Sequence, residues 1–140
     1  MIRKLASVFL TLLLAIVPAY AAGPTALSIQ VLKVNNYAVG AGDLTITFSA
    51  CDAVNGNFFV PSGYEILLVQ NTDGAAAHTF TVNSVPDPYG RIDTSLTSYS
   101  VAASASSSIQ LKYLSGWQSG GKITLACSDP HIQFAVLRFS

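Results

Sequence analysis

Four residues carry most of the chemistry available to this chain of 140 residues: Cys51, His78, Cys127 and His131. Thiols can pair with each other or ligate soft metals, and imidazoles can ligate metals or move protons near neutral pH. Two cysteines allow one intramolecular pairing, Cys51 with Cys127. The loop it would close is long, and the chain-entropy model gives such a link about 4–5 kcal/mol. Carboxylates offer less. Glu65 is the single Glu and stands at a strand start without an acid–base partner. Asp52, Asn55 and Asn57 share one loop, and Asp87 and Asp93 another, but no EF-hand spacing is present. Turn chemistry accounts for these oxygens. Many serines are available to a Ser-His-Asp set, yet no G-x-S-x-G motif singles one out. No catalytic residue is therefore expected, and the chain reads as a non-enzyme.

Whether the cysteines can pair depends on the compartment, because disulfides persist where the cytosolic reductants are absent. The N-terminus answers that. Met1-Ile2-Arg3-Lys4 is a charged n-region, Leu5 to Val17 is apolar apart from Ser7 and Thr11, and Ala19-Tyr20-Ala21 is an Ala-x-Ala cleavage pattern. These are the three parts of a secretory signal peptide, in order. The apolar run is short for a membrane span. Residues 1–21 are read as a signal peptide and 22–140 as a single exported domain, periplasmic or extracellular. No later segment is long and apolar enough to be an integral membrane span.

Loss of Arg3 and Lys4 leaves five cations (Lys33, Arg91, Lys112, Lys122, Arg138) against seven anions, a net charge of about −2. The cations are scattered, so nothing resembles a phosphate-binding stripe, and nucleic acid is not an expected partner. The surface is expected to be rich in Ser, Thr, Asn and Gln, which suits packing against a protein or another surface.

The elements that must position these residues are strands. After residue 21 no helical period appears, and short β-type runs alternate with turn clusters. Strands are expected over 27–34, 44–49, 64–70, 78–83, 98–102, 108–114, 122–127 and 132–139, with a short extended piece at 58–60. The 44–49 run alternates strictly, and 64–70 is apolar on both faces like a central strand. Asp87-Pro88-Tyr89-Gly90 suits a type I turn. Residues 103–107 read as a low-complexity loop and 115–121 as a long turn. The fold class is all-β: one small antiparallel β-sandwich of about eight strands, Greek-key-like. Cys51 and Cys127 both fall at strand ends, where links between sheets are easy. Trp117, among Gly and Ser, is either a binding aromatic or a plug at the end of the core. The core role is the stronger expectation.

Two family resemblances add to this. Ala77-His78-Thr79-Phe80 before a middle strand, and Cys127-Ser128-Asp129-Pro130-His131 before the last, resemble the order of ligands in cupredoxins, the blue copper proteins. The resemblance implies a type 1 copper electron carrier, with His78, Cys127 and His131 as the trigonal ligands. The axial Met of the family is missing, since Met1 is the only one; Gln133 is the substitute on offer. A Cys51–Cys127 bond would consume the thiolate. Second, Asp52-Ala53-Val54-Asn55-Gly56-Asn57, Gly63 to Asn71, Asp87 to Arg91 and Phe134 to Arg138 look like small β-sandwich proteins of tailed phages and bacterial relatives, some linked to capsid decoration. That resemblance implies a β-module that coats or binds a surface. The signal peptide departs from it, because capsids assemble in the cytoplasm.

The expectation is thus an exported, disulfide-linked, non-catalytic β-sandwich without a cofactor, acting as a structural or surface-binding module. Its partner is unspecified, and free sheet edges could pair between copies. Type 1 copper is the alternative.

Overall fold

The computed structural model describes residues 22–32, 45–111 and 116–139. The expected signal peptide, residues 1–21, lies outside them. So do Lys33, Val34 and Leu44, and residues 112–114 of the expected 108–114 strand.

The described residues form eleven strands in chain order: β1 Thr25–Ala26, β2 Ile29–Leu32, β3 Ser49–Ala50, β4 Asn57–Phe59, β5 Glu65–Asn71, β6 His78–Val82, β7 Tyr99–Val101, β8 Ser106–Gln110, β9 Gln118–Ser119, β10 Lys122–Cys127 and β11 Ile132–Phe139. They make two sheets packed face to face. One runs β1-β4-β10-β6-β7, with β9 pairing β10; the other runs β2-β11-β5-β8, with β3 pairing β11. This is the expected all-β sandwich. Two departures are found. The strands number eleven, and the sheets are mixed, because β1 pairs β4 and β2 pairs β11 in parallel.

The N-terminal run supplies both parallel pairs and one of the added strands. Of the expected 27–34 strand, Ile29–Leu32 forms β2; β1 lies before it, and the break at Leu27-Ser28 lets β1 join one sheet and β2 the other. Leu27 is buried at the crossing, and its N–H donates to Phe58 O at 2.8 Å. The apolar side chain thus anchors the chain as it changes sheets. Similarly, β9 lies inside the expected long turn. Ser119 opposes Lys122, so Gly120-Gly121 is a two-residue hairpin loop with both φ positive, at 56° and 77°. Primed turns need that conformation, and glycine adopts it without a Cβ clash.

The period-2 pattern sets the core. In β5, Glu65, Leu67, Val69 and Asn71 point inward while Ile66, Leu68 and Gln70 are half-buried, as expected of a strand between two neighbours. Phe59, Phe80, Val82, Ile123 and Leu125 from one sheet meet Leu67, Val69, Ile132, Phe134 and Val136 from the other. Phe80 and Phe134 meet edge-on across the layers, with ring centroids 6.1 Å apart. Each such side chain contributes about 1.5–3 kcal/mol when fully buried. Trp117 belongs to this cluster.

Two expected strands are corrected. Of the expected 44–49 strand, residues 45–49 are described, and only Ser49 among them enters a ladder. Thr47 instead pairs with the Gln30 carboxamide: its N–H donates to Oε1 at 2.8 Å, and its carbonyl accepts from Nε2 at 2.6 Å. A side-chain amide here takes the place of a neighbouring strand. Conversely, β8 begins at Ser106, inside the expected 103–107 loop. An edge strand needs a backbone ladder more than apolar side chains, and Ser106 to Gln110 pairs in register with β5.

Candidate functional site

Cys51 and Cys127 form a disulfide. Cys51 follows β3 in one sheet and Cys127 closes β10 in the other, so the bond ties the two layers at one end of the sandwich. The same end carries both histidines. His78 opens β6, and His131 immediately precedes β11.

Local sequence dictates how they meet. Asn71, buried at the end of β5, gives its side-chain N–H groups to the carbonyls of Ala76, Val101 and Ala102, and its Oδ1 accepts from Asp73 N. That shapes the loop 72–77. Asp73 Oδ1 accepts from Ala75 N and Ala76 N, and Oδ2 bonds His78 Nε2 at 2.9 Å. In the facing turn, Asp129 Oδ1 accepts from His131 N at 2.8 Å and bonds the ring Nδ1 at 2.6 Å. The two loops are stitched together: Thr72 N and Oγ1 donate to His131 O, Ser128 N donates to Thr79 O, and Thr79 N donates to Ser128 Oγ. The imidazoles come to lie parallel, with centroids 5.9 Å apart and planes 10° apart.

Electrostatics follow the hydrogen bonds. The Ala75 N–H, then His78, hold the Asp73 carboxyl down to about 2, against 3.8 ordinarily. The His131 backbone N–H and ring hold Asp129 below its usual value. Both carboxylates are therefore ionised at neutral pH and act as acceptors, so each imidazole nitrogen facing one donates its proton. Among the described residues no serine hydroxyl hydrogen-bonds either imidazole.

The structure thus brings His78, His131 and Cys127 to one end of the fold. The copper reading meets two obstacles. Cys127 Sγ is bonded to Cys51, so this oxidised form has no thiolate for a type 1 plane. Gln133 is turned to another use: its Oε1 accepts from Gln70 Nε2 at 2.8 Å, across the β5–β11 ladder. Asp73 and Asp129 were missed as site residues. Asp129 stands in the Cys127-to-His131 segment without an assigned role, and Asp73 is not singled out by the sequence pattern. Their closeness in sequence to the two histidines was the available signal.

The remaining polar residues do structural work. Asp52 accepts from Val54 N, Asn55 N, Asn55 Nδ2 and Thr25 Oγ1, and its own N–H donates to Asn57 Oδ1. Asp93 accepts from Ser95 N. Glu65 is buried; its Oε1 accepts from Ser62 N and Oγ, and Oε2 from Gly63 N. Burial alone would raise its carboxyl, but the bonds from Ser62 and Gly63 outweigh that and hold it below the ordinary value.

A second surface lies in the 87–95 loop. Gly90 N donates to Asp87 O at 2.8 Å, closing the expected turn. Asp87 also accepts from Tyr89 N, Arg91 N and the Arg91 guanidinium, whose carbon sits 5.3 Å from the Tyr89 ring centroid. Tyr89 and Ile92 are exposed, at 84% and 57%. A groove of about 730 Å³ beside them is lined by Asp87, Arg91, Ile92 and Trp117 among others. Trp117 is only 7% exposed, so it meets this groove as the edge of a core side chain.

No family model, curated protein or solved structure matches the chain. Among the described residues no helix is long and apolar enough to cross a membrane.

Proposed function

We propose that this chain is an exported, non-catalytic β-sandwich that binds a surface or partner through its 87–95 loop. The observation that carries the binding role is the pairing of large exposed apolar side chains with a rigid support. Tyr89 and Ile92 stand out from a loop whose backbone and Arg91 are fixed by one carboxylate, Asp87. Loops held on a rigid scaffold are where binding residues concentrate, and aromatic anchors beside a groove supply the buried centre of many interfaces. Holding Tyr89 before contact lowers the ordering cost of binding. Export rests on the 1–21 pattern, and the Cys51–Cys127 disulfide is compatible with an oxidising compartment. The 87–95 surface and the disulfide belong to this chain itself, so neither family resemblance is needed for this function.

The test is co-sedimentation of the oxidised, purified domain with cell-envelope and insoluble polysaccharide preparations. Tyr89→Ser with Ile92→Ser should move the domain from pellet to supernatant without changing its melting temperature. Equal sedimentation of both proteins, or hydrolytic turnover by the wild type, would overturn the proposal.

A further inference from the structure

The end of the sandwich opposite in character to the 87–95 loop holds a donor set that the binding role does not use. One donor atom from each of Asp73, His78 and His131 lies within 4.8 Å of the other two. We propose that these three residues form a site for a divalent transition-metal ion of zinc's class, with a further coordination position open to solvent.

The donor chemistry comes first. Two imidazoles and a carboxylate suit a borderline ion such as zinc, and three protein ligands leave the fourth tetrahedral position to water or to an incoming donor. The set has no thiolate, so the Cys51–Cys127 disulfide is no obstacle to it. This distinguishes it from the type 1 copper plane, whose sulfur the disulfide takes.

Geometry comes second. Neighbouring donors around a tetrahedral zinc stand about 3.3 Å apart, given bonds of about 2.0–2.1 Å. Asp73 Oδ2 and His78 Nε2 stand 2.9 Å apart across a hydrogen bond; zinc would take the place of the shared proton, and the ring would carry its remaining proton on Nδ1. The remaining closure, at most about 1.5 Å on that scale, falls to His131. Its side chain is 55% exposed and sits on a turn, whereas that of His78 is 17% exposed on a strand. The residue that must move is thus the freer of the two.

The supporting shell is the third and independent observation. Metal-ligating histidines usually donate their second ring N–H to a carboxylate or carbonyl, which fixes the tautomer and aims the free nitrogen. Asp129 holds His131 Nδ1 in this manner at 2.6 Å, leaving Nε2 as the ligand atom. The Asp73 carboxylate is oriented in turn by Ala75 N and Ala76 N. Asp73 and Asp129 together carry two negative charges, which balance a divalent ion. In this arrangement Asp129 is a positioning residue and not a ligand.

The experiment uses the oxidised mature chain, free of any affinity tag and stripped with chelator. Zinc titration by calorimetry should give one saturable site, and cobalt should give the intense visible bands of a tetrahedral complex. His78→Gln or His131→Gln should weaken zinc at least tenfold. Asp129→Asn should keep the one-to-one stoichiometry with affinity reduced about tenfold, the scale of a lost supporting bond. The chain has only two histidines, so ring NMR of the wild type gives a readout that needs no variant. Zinc should shift both sets of ring signals at one equivalent. Absence of saturable zinc binding, ring signals that do not respond, or equal affinity in the doubly substituted protein would each overturn the proposal.

Discussion

At the residue scale, two carboxylates show how backbone donors decide charge. Asp73 is held at about 2, where an unfolded Asp sits near 3.8. A depressed carboxyl contributes stability above the unfolded value and loses it as pH falls through the folded one. The Asp73 contribution is therefore complete at neutral pH and disappears between about pH 4 and pH 2. Carbon NMR of the Asp73 carboxyl should show a midpoint near the lower end of that window, and Asp73→Asn should flatten the acid limb of the stability curve there. A midpoint near the ordinary Asp value would contradict the hydrogen bonds from Ala75 and His78. Glu65 behaves alike in sign but sits inside the fold. Glu65→Gln replaces an accepting oxygen with an amide nitrogen facing the N–H groups of Ser62 and Gly63. The expected cost is about 1–3 kcal/mol, read from denaturant midpoints. In the sequence Glu65 is merely the single Glu at a strand start. Its partners three and two residues upstream become visible only once the chain bends back at Pro61-Ser62-Gly63.

At the element scale, strands with apolar alternation were legible and strands made by pairing alone were not. In β5, β6 and the first four residues of β10 the buried side chains fall at every second residue, whereas β11 is buried on both faces from Phe134 to Leu137. By contrast, β8 is largely serine, and β1, β3 and β9 are two residues each. Such strands exist because a neighbour offers free backbone groups, which no local pattern records. The 44–49 run shows the converse. Its alternation is that of a strand, yet Gln30 supplies the partner for Thr47 from a side chain. Gln30→Ala should raise hydrogen exchange at the Thr47 amide while leaving exchange in β5 and β11 unchanged; protection that survives the substitution would show another partner. Gly56 makes a stronger demand. Its φ is +76°, and a Cβ there would stand 2.6 Å from the Leu125 carbonyl oxygen. Gly56→Ala combines a left-handed backbone with a clash against β10, and should cost at least about 1–3 kcal/mol. A melting temperature equal to that of the wild type would show that the loop can move away.

At the scale of the whole molecule, the Cys51–Cys127 disulfide cross-links two layers that also share an apolar core and the Asn71 bond to the Val101 carbonyl. It spans a sequence separation of 76, so its removal should cost about 4–5 kcal/mol on the chain-entropy model. Cys51→Ala with Cys127→Ala should lower the denaturant midpoint accordingly, and most of all loosen the end that carries His78 and His131. The pairing was legible because two cysteines leave one choice. The histidine cluster was legible only in half. Only the resemblance to cupredoxins implied that His78 and His131 share one end, and the roles of Asp73 and Asp129 depend on two loops meeting across sheets, which no sequence period encodes. The exposed Tyr89 and Ile92 were hidden for a similar reason: the turn itself could be read, whereas which side chains it leaves uncovered is set by packing elsewhere. The described residues form a sandwich closed by one disulfide, for which we propose the role of an exported binding module. The most direct measurement is the intact mass of the chain recovered from a secreting host, with and without reduction before alkylation. A chain starting at Ala22, with two thiols that react only after reduction, is the predicted result. A chain that retains residues 1–21, or two thiols free from the outset, would contradict it.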